Sequence, residues 1–145
     1  MKKLPDPDES PGSDVVIFDG QCSFCQGQVR NLRRLDWGGK RLSFLSLHDP
    51  RVAQRYPSLT HEVLMSQMFV VRPDGSMYGG GDAVRYLSRR LPTLWWAMPI
   101  LHLPGTAALW RWAYHQVAAR RYRIAGKTAC DQDACAVHFG TQPKR

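Results

Sequence analysis

Cys22-Ser23-Phe24-Cys25 places two thiols two residues apart, directly after the apolar run Val15-Val16-Ile17-Phe18 and the turn pair Asp19-Gly20. That spacing suits thiol-disulfide exchange. A thiolate attacks a disulfide sulfur of a partner, and a second thiol one helical turn away resolves the mixed disulfide. With a helix starting just after Gly20, the first cysteine lies at its N-terminus, where unpaired backbone N–H groups and the positive end of the helix dipole stabilise a thiolate. On these grounds Cys22 is the expected nucleophile, carrying the more exposed sulfur, and Cys25 the buried resolving thiol. Asp19 has two readings. Its carboxylate can accept a proton from Cys25 or tune the pair, or it can serve as an Asp-Gly turn residue that caps the following loop.

A second pair, Cys130 and Cys135, lies near the C-terminus and is followed by His138. Three roles compete for it: a shuttle passing electrons to Cys22 and Cys25, the other half of a four-thiolate zinc site, or incidental residues on a flexible tail. Among the other histidines, only His48, beside Asp49-Pro50, is placed to approach the first cysteine pair, and no catalytic histidine is assigned. The run Gly79-Gly80-Gly81 lacks the spacing and the lysine of a phosphate loop and reads as a hinge into a helix.

The elements that must position these residues follow from periodicity. Asp14–Phe18, with three β-branched residues in a row, reads as a buried central strand. From Ser23 to about Leu35 the apolar residues Val29, Leu32 and Leu35 recur at helical spacing, giving an amphipathic helix with Cys25 in its first turn. Arg41 to Leu47 is a second strand. Arg51 to Tyr56 reads as a short helix broken by Pro57, Ser66 to Arg72 as a third strand, and Pro73-Asp74-Gly75 as a tight turn into a fourth at Ser76 to Tyr78. Asp82 is the expected N-cap of a helix with Ala83, Val84, Tyr86 and Leu87 inward. The order βαβ followed by ββα requires a parallel pair plus an antiparallel hairpin. The expected fold is α/β and thioredoxin-like: a four-stranded mixed sheet flanked by helices.

Beyond about residue 92 a helical extension is expected. Leu91 to Trp110 contains no Asp, Glu, Lys or Arg, but Pro92, Pro99 and Pro104 interrupt it, so short broken helices on the core are expected rather than a membrane span. Thr106 to Arg123 reads as a longer helix with Trp110, Ala113, Tyr114 and Val117 on one stripe. It is expected to cover the core, with interfacial membrane contact through this Trp- and Arg-rich half as the sharper alternative.

The 145 residues fit one domain able to bury a core without disulfide or metal support. The expected organisation is a disordered tail over residues 1–13, the domain over 14–125 with its extension, and a flexible tail over 126–145. The N-terminal segment has no apolar stretch of secretory type, and a cytoplasmic location is expected. In a reducing compartment a close cysteine pair points to catalysis or metal binding. The net charge is +8. The clusters Arg30/Arg33/Arg34, Arg85/Arg89/Arg90 and Arg120/Arg121/Arg123 read as solvated helix faces, and with no accompanying motif no nucleic-acid partner is expected.

Taken together these residues resemble the DCC-family thiol-disulfide oxidoreductases, small thioredoxin-like proteins named for an aspartate and two cysteines, here Asp19, Cys22 and Cys25. Asp74-Gly75, Gly80/Gly81-Asp82-Ala83-Val84 and Tyr114 with Ala118-Ala119-Arg120-Arg121-Tyr122-Arg123 look like later blocks of the family in the same order, over roughly Val15 to Ile124. The resemblance implies a protein-disulfide oxidoreductase acting on protein disulfides or dithiols without an organic cofactor. Two departures from ordinary thioredoxins stand out. Ser23-Phe24 replaces Gly-Pro between the cysteines, and Ser66-Gln67 stands where thioredoxins place a cis-proline before the third strand, which implies a different way of docking substrate. The competing reading is a non-catalytic module in which the cysteines hold zinc and the Trp- and Arg-rich half docks on a protein or membrane surface.

Overall fold

The computed structural model describes residues 4–125. Strand β1 (Asp14–Phe18) leads into helix α1 (Ser23–Leu35), followed by β2 (Leu42–Ser46), α2 (Pro50–Arg55), α3 (His61–Ser66), β3 (Phe69–Val71), β4 (Met77–Gly79) and α4 (Gly80–Arg90). A 3-10 helix (Pro92–Ala97), a single turn α5 (Met98–Leu101) and the long α6 (Ala107–Ala125) complete the chain. The sheet order is β2-β1-β3-β4, with β1 parallel to β2 and antiparallel to β3, and β3 antiparallel to β4. This is the mixed four-stranded sheet that the element order calls for.

Both faces of the sheet are covered, which is why β1 is a continuous apolar run rather than an alternating one. Val16, Phe18, Phe44 and Val70 point to one side, where Val29 of α1 and Ala83 and Leu87 of α4 meet them. Val15, Ile17, Leu45, Phe69 and Val71 point to the other, against Val52 of α2 and Leu64 of α3. The central strand thus carries the site-bearing helix α1 on one side and the two short helices on the other.

Four expectations need correction. Residues 4–13, expected within a disordered tail, are ordered: Leu4 is buried in the core and the Pro5 carbonyl accepts a hydrogen bond from Phe44 N–H at 2.9 Å. Arg51 reinforces this segment by pairing with Asp6 at 3.0 Å. Helix α3 has no counterpart among the expected elements. Thr60 caps it, its Oγ1 accepting from Val63 N–H at 3.4 Å, and Ser66 ends it, so β3 starts at Phe69 rather than Ser66. The N-cap of α4 is Gly79, not Asp82, because the chain turns helical immediately after β4. Asp82 instead sits in the first turn of α4 and pairs with Arg111 at 2.8 Å. Finally, Val84 is exposed rather than inward.

The proline-broken segment folds as expected into short helical pieces. It packs Leu94 against the core while Trp95 and Trp96 face solvent. No helix among the described residues is long and apolar enough to cross a membrane. Helix α6 packs on α4 and α1. The crossing with α4 is close: a Cβ at Gly81 would lie 2.9 Å from the Trp110 carbonyl oxygen and 3.0 Å from Arg111 Cα. Cys130, Cys135 and His138 lie outside the described residues.

Candidate redox site

The end of β1 delivers Asp19-Gly20 to the start of α1, and the turn is tied by the aspartate itself. Asp19 Oδ1 accepts from Gln21 N–H at 2.9 Å, and its carbonyl accepts from Cys22 N–H at 3.2 Å. Gln26 locks the loop from inside the helix, donating to the Gly20 carbonyl at 2.6 Å. Cys22 is the N-cap of α1: its backbone is extended and its sulfur accepts from Cys25 N–H at 3.4 Å. A sulfur in the capping position does for the helix what a serine or aspartate oxygen does elsewhere, and a negative charge there interacts favourably with the helix dipole.

The burial of the two thiols is the reverse of the sequence expectation. Cys22 is 0 % exposed, whereas Cys25 is half-buried. Helix α6 crosses beside α1 and carries Arg121 and Tyr114 to the cysteines. Arg121, 4 % exposed, donates to Cys25 Sγ at 3.6 Å, stands 3.9 Å from the Asp19 carboxylate and also donates to the Met65 carbonyl. The Tyr114 hydroxyl accepts a hydrogen bond from the Met68 N–H at 2.9 Å. His48 Nε2 stands 3.2 Å from Asp19 Oδ1, so the carboxylate lies between an imidazole and a guanidinium.

The electrostatics separate the two thiols. Burial pushes the Cys25 thiol up to about 12, helped by its hydrogen bond to Cys22 and by the charge on Cys22, with Arg121 acting in the opposite direction. Burial likewise raises the Tyr114 phenol. Beside Cys25 a cavity of about 450 Å³ opens between α1, α4, α5 and α6, lined mainly by apolar side chains. Among the described residues, no group of three or more His, Cys, Asp or Glu side chains is arranged to hold a metal ion.

The structure therefore brings together Asp19, Cys22 and Cys25, and adds His48, Tyr114 and Arg121. Arg121 is the residue that the sequence reading missed, having been grouped with Arg120 and Arg123 as a solvated face. The stripe Trp110, Ala113, Tyr114, Val117 continues at the same helical spacing to Arg121, and that periodicity was the available signal.

A family model described as DCC1-like thiol-disulfide oxidoreductase matches residues 16–127. The chain belongs to that family. No curated protein and no solved structure matches it. The match runs from Val16 of β1 through Cys22 and Cys25 and includes all of α6.

Proposed function

We propose that this DCC1-like protein exchanges disulfides with protein partners through Cys22 and Cys25, with Cys22 as the attacking thiolate and Cys25 as the resolving thiol. The observation that carries this reading is the asymmetry of the pair: Cys22 Sγ caps α1 and accepts from Cys25 N–H, while Cys25 holds its proton up to about 12. The Cys22 thiolate attacks a partner disulfide, forming a Cys22–partner bond and releasing the other partner sulfur as a thiol after it takes up a proton. Cys22 is then uncharged. Two of the influences that keep Cys25 protonated are removed with that charge, and the Arg121 guanidinium, which favours ionisation, remains. Cys25 loses its proton, attacks the Cys22 sulfur and releases the second partner thiol. The partner gains two electrons, and the protein keeps a Cys22–Cys25 disulfide. The same steps in reverse oxidise a partner dithiol.

Asp19 in this reading is a positioning residue: it ties the turn, orders Arg121 and faces His48. A second reading is favoured by one observation, the enclosure of Cys22 and the opening of Cys25 onto the cavity. It assigns the attack to Cys25. Non-reducing intact mass after incubation with oxidised glutathione separates the two. With Cys130 and Cys135 replaced by serine in both, Cys25→Ser is expected to accumulate a mixed disulfide at Cys22, and Cys22→Ser to stay unmodified. Accumulation at Cys25 in Cys22→Ser would exchange the roles, and no adduct on either variant would remove the oxidoreductase reading.

A further inference from the structure

Resting on that reading, we infer that the cavity beside Cys25 is the specificity pocket of the exchange reaction, and that it takes a bulky, uncharged apolar group carried next to the reacting disulfide. Its volume, about 450 Å³, falls in the range of small-molecule pockets. Leu32 of α1, Val84 of α4, Leu94 and Leu101 of the extension, and Trp110 and Val117 of α6 form its apolar wall, and Cys25 is the thiol on it. The charged groups on that wall, Asp19 and Arg121, stand 3.9 Å apart as opposite charges, which leaves little net field to recruit a charged ligand. A charged ligand would also lose its hydration against the leucine and valine surfaces.

The alternative way of holding a partner, backbone pairing at the start of β3, is already in use within the fold. The Met68 N–H is bonded to the Tyr114 hydroxyl at 2.9 Å, and the Met68 carbonyl accepts from Gly80 N–H at 2.9 Å. An extended partner chain finds no open pairing position at Met68. The indole N–H of Trp110, on the cavity wall, is buried and has no acceptor within the described protein. An occupant with an apolar body and one carbonyl or ether oxygen answers both features. An apolar residue flanking a partner cysteine supplies that chemistry through its side chain and its backbone carbonyl, and so does the body of a small organic disulfide that carries an oxygen. In either case the redox step is the one above: the protein pair is oxidised to Cys22–Cys25, and the substrate disulfide receives two electrons and two protons.

The test uses the reduced full-length protein and four disulfides: the symmetric dimers of Gly-Leu-Cys-Phe-Gly and of Gly-Ser-Cys-Ser-Gly, benzyl 2-hydroxyethyl disulfide, and bis(2-hydroxyethyl) disulfide. Each kcat/KM is divided by the rate of the same probe with dithiothreitol, which removes intrinsic reactivity. The apolar member of at least one pair is expected to react about tenfold to a hundredfold faster, the discrimination that burying one large apolar group provides. Preference within the peptide pair assigns the group to a protein partner, and preference within the small pair alone assigns it to a small molecule. Ala113→Trp, which fills the cavity, is expected to bring that ratio towards one, and Val84→Trp is a second filling variant at an exposed position. Equal rates within both pairs, or an undiminished ratio in two folded filling variants, would overturn the pocket while leaving the oxidoreductase reading in place. Failure of all four probes to react would overturn both.

Discussion

Arg51, in the first turn of α2, ends among three carboxylates: Asp6 at 3.0 Å, Asp49 at 3.0 Å and Asp8 at 2.5 Å. Arg121, near the end of α6, ends on one carboxylate at 3.9 Å, a backbone carbonyl and the sulfur of Cys25. Both are arginines held by the fold, and their neighbours give them different work. The carboxylates hold Arg51 charged far above any working pH, the hydrogen bond to Asp49 contributing most and the one to Asp6 next. That charge is matched by carboxylates that take no part in the proposed exchange, and Arg51 fastens the N-terminal segment to α2. In the proposed exchange Arg121 faces a sulfur whose charge appears and disappears, and its stabilising effect comes and goes with that charge.

Replacing Arg121 should break the contrast most visibly. Without the guanidinium the transient Cys25 thiolate loses its nearest cation, so Arg121→Gln should slow resolution about tenfold or more, the loss of about 1.4 kcal/mol per tenfold. The midpoint potential should move little, because Cys25 keeps its proton in the resting reduced pair. Arg121→Lys should recover part of the rate. Acid-quenched intact mass, following decay of the mixed disulfide, checks both, and a Gln variant with an unchanged resolution rate would reduce Arg121 to a packing residue. The counterpart, Arg51→Ala, should lower folding stability by about 2 kcal/mol, the scale of hydrogen bonds to charged groups, as read by urea denaturation. Its resolution rate should stay at the wild-type value, and a slowing that matches Arg121→Gln would erase the distinction.

A smaller effect concerns pH. Cys25 rises from an ordinary 9.0 to about 12 on folding, with burial the main cause. The unfolded chain therefore releases this proton first, and stability contributed by the protonated thiol is present below about pH 9 and lost as pH rises towards 12. Tyr86 acts in the same direction, raised from 10.0 to about 12 by burial and by its hydrogen bond to Asp14. The difference between the wild type and Cys25→Ser isolates the thiol, and the serine variant should lose less stability between pH 9 and 11 in parallel denaturation curves. The smallest effect is expected at His48. It touches Asp19 but neither cysteine, so His48→Gln should change the exchange rate less than about threefold, as expected for one partly exposed polar contact.

The parts of the fold that depend on local pattern were legible. The span of β1 and the limits of α1 follow from a β-branched run, a turn pair and helical spacing, and these elements bring Asp19 and both cysteines together. What escaped depends on contacts between distant segments. Leu4, Asp6 and Asp8 lie in a proline- and aspartate-rich stretch that looks solvated. It is ordered because Arg51 and Arg55, more than forty residues later, receive its charges. The surroundings of the thiols are likewise non-local. Arg121 and Tyr114 reach the pair from α6, and nothing between Asp19 and Cys25 encodes their arrival.

The close crossing at Gly81 gives this arrangement a mechanical side. A methyl group there would press on the backbone of α6 at Trp110 and Arg111, and a continuous helix moves as a stiff rod. The push would travel about three turns along the rod to Arg121. The distance between the guanidinium and the sulfur is thus calibrated by a missing side chain in another helix, so that a fulcrum with no chemistry of its own sets the leverage on the reactive pair.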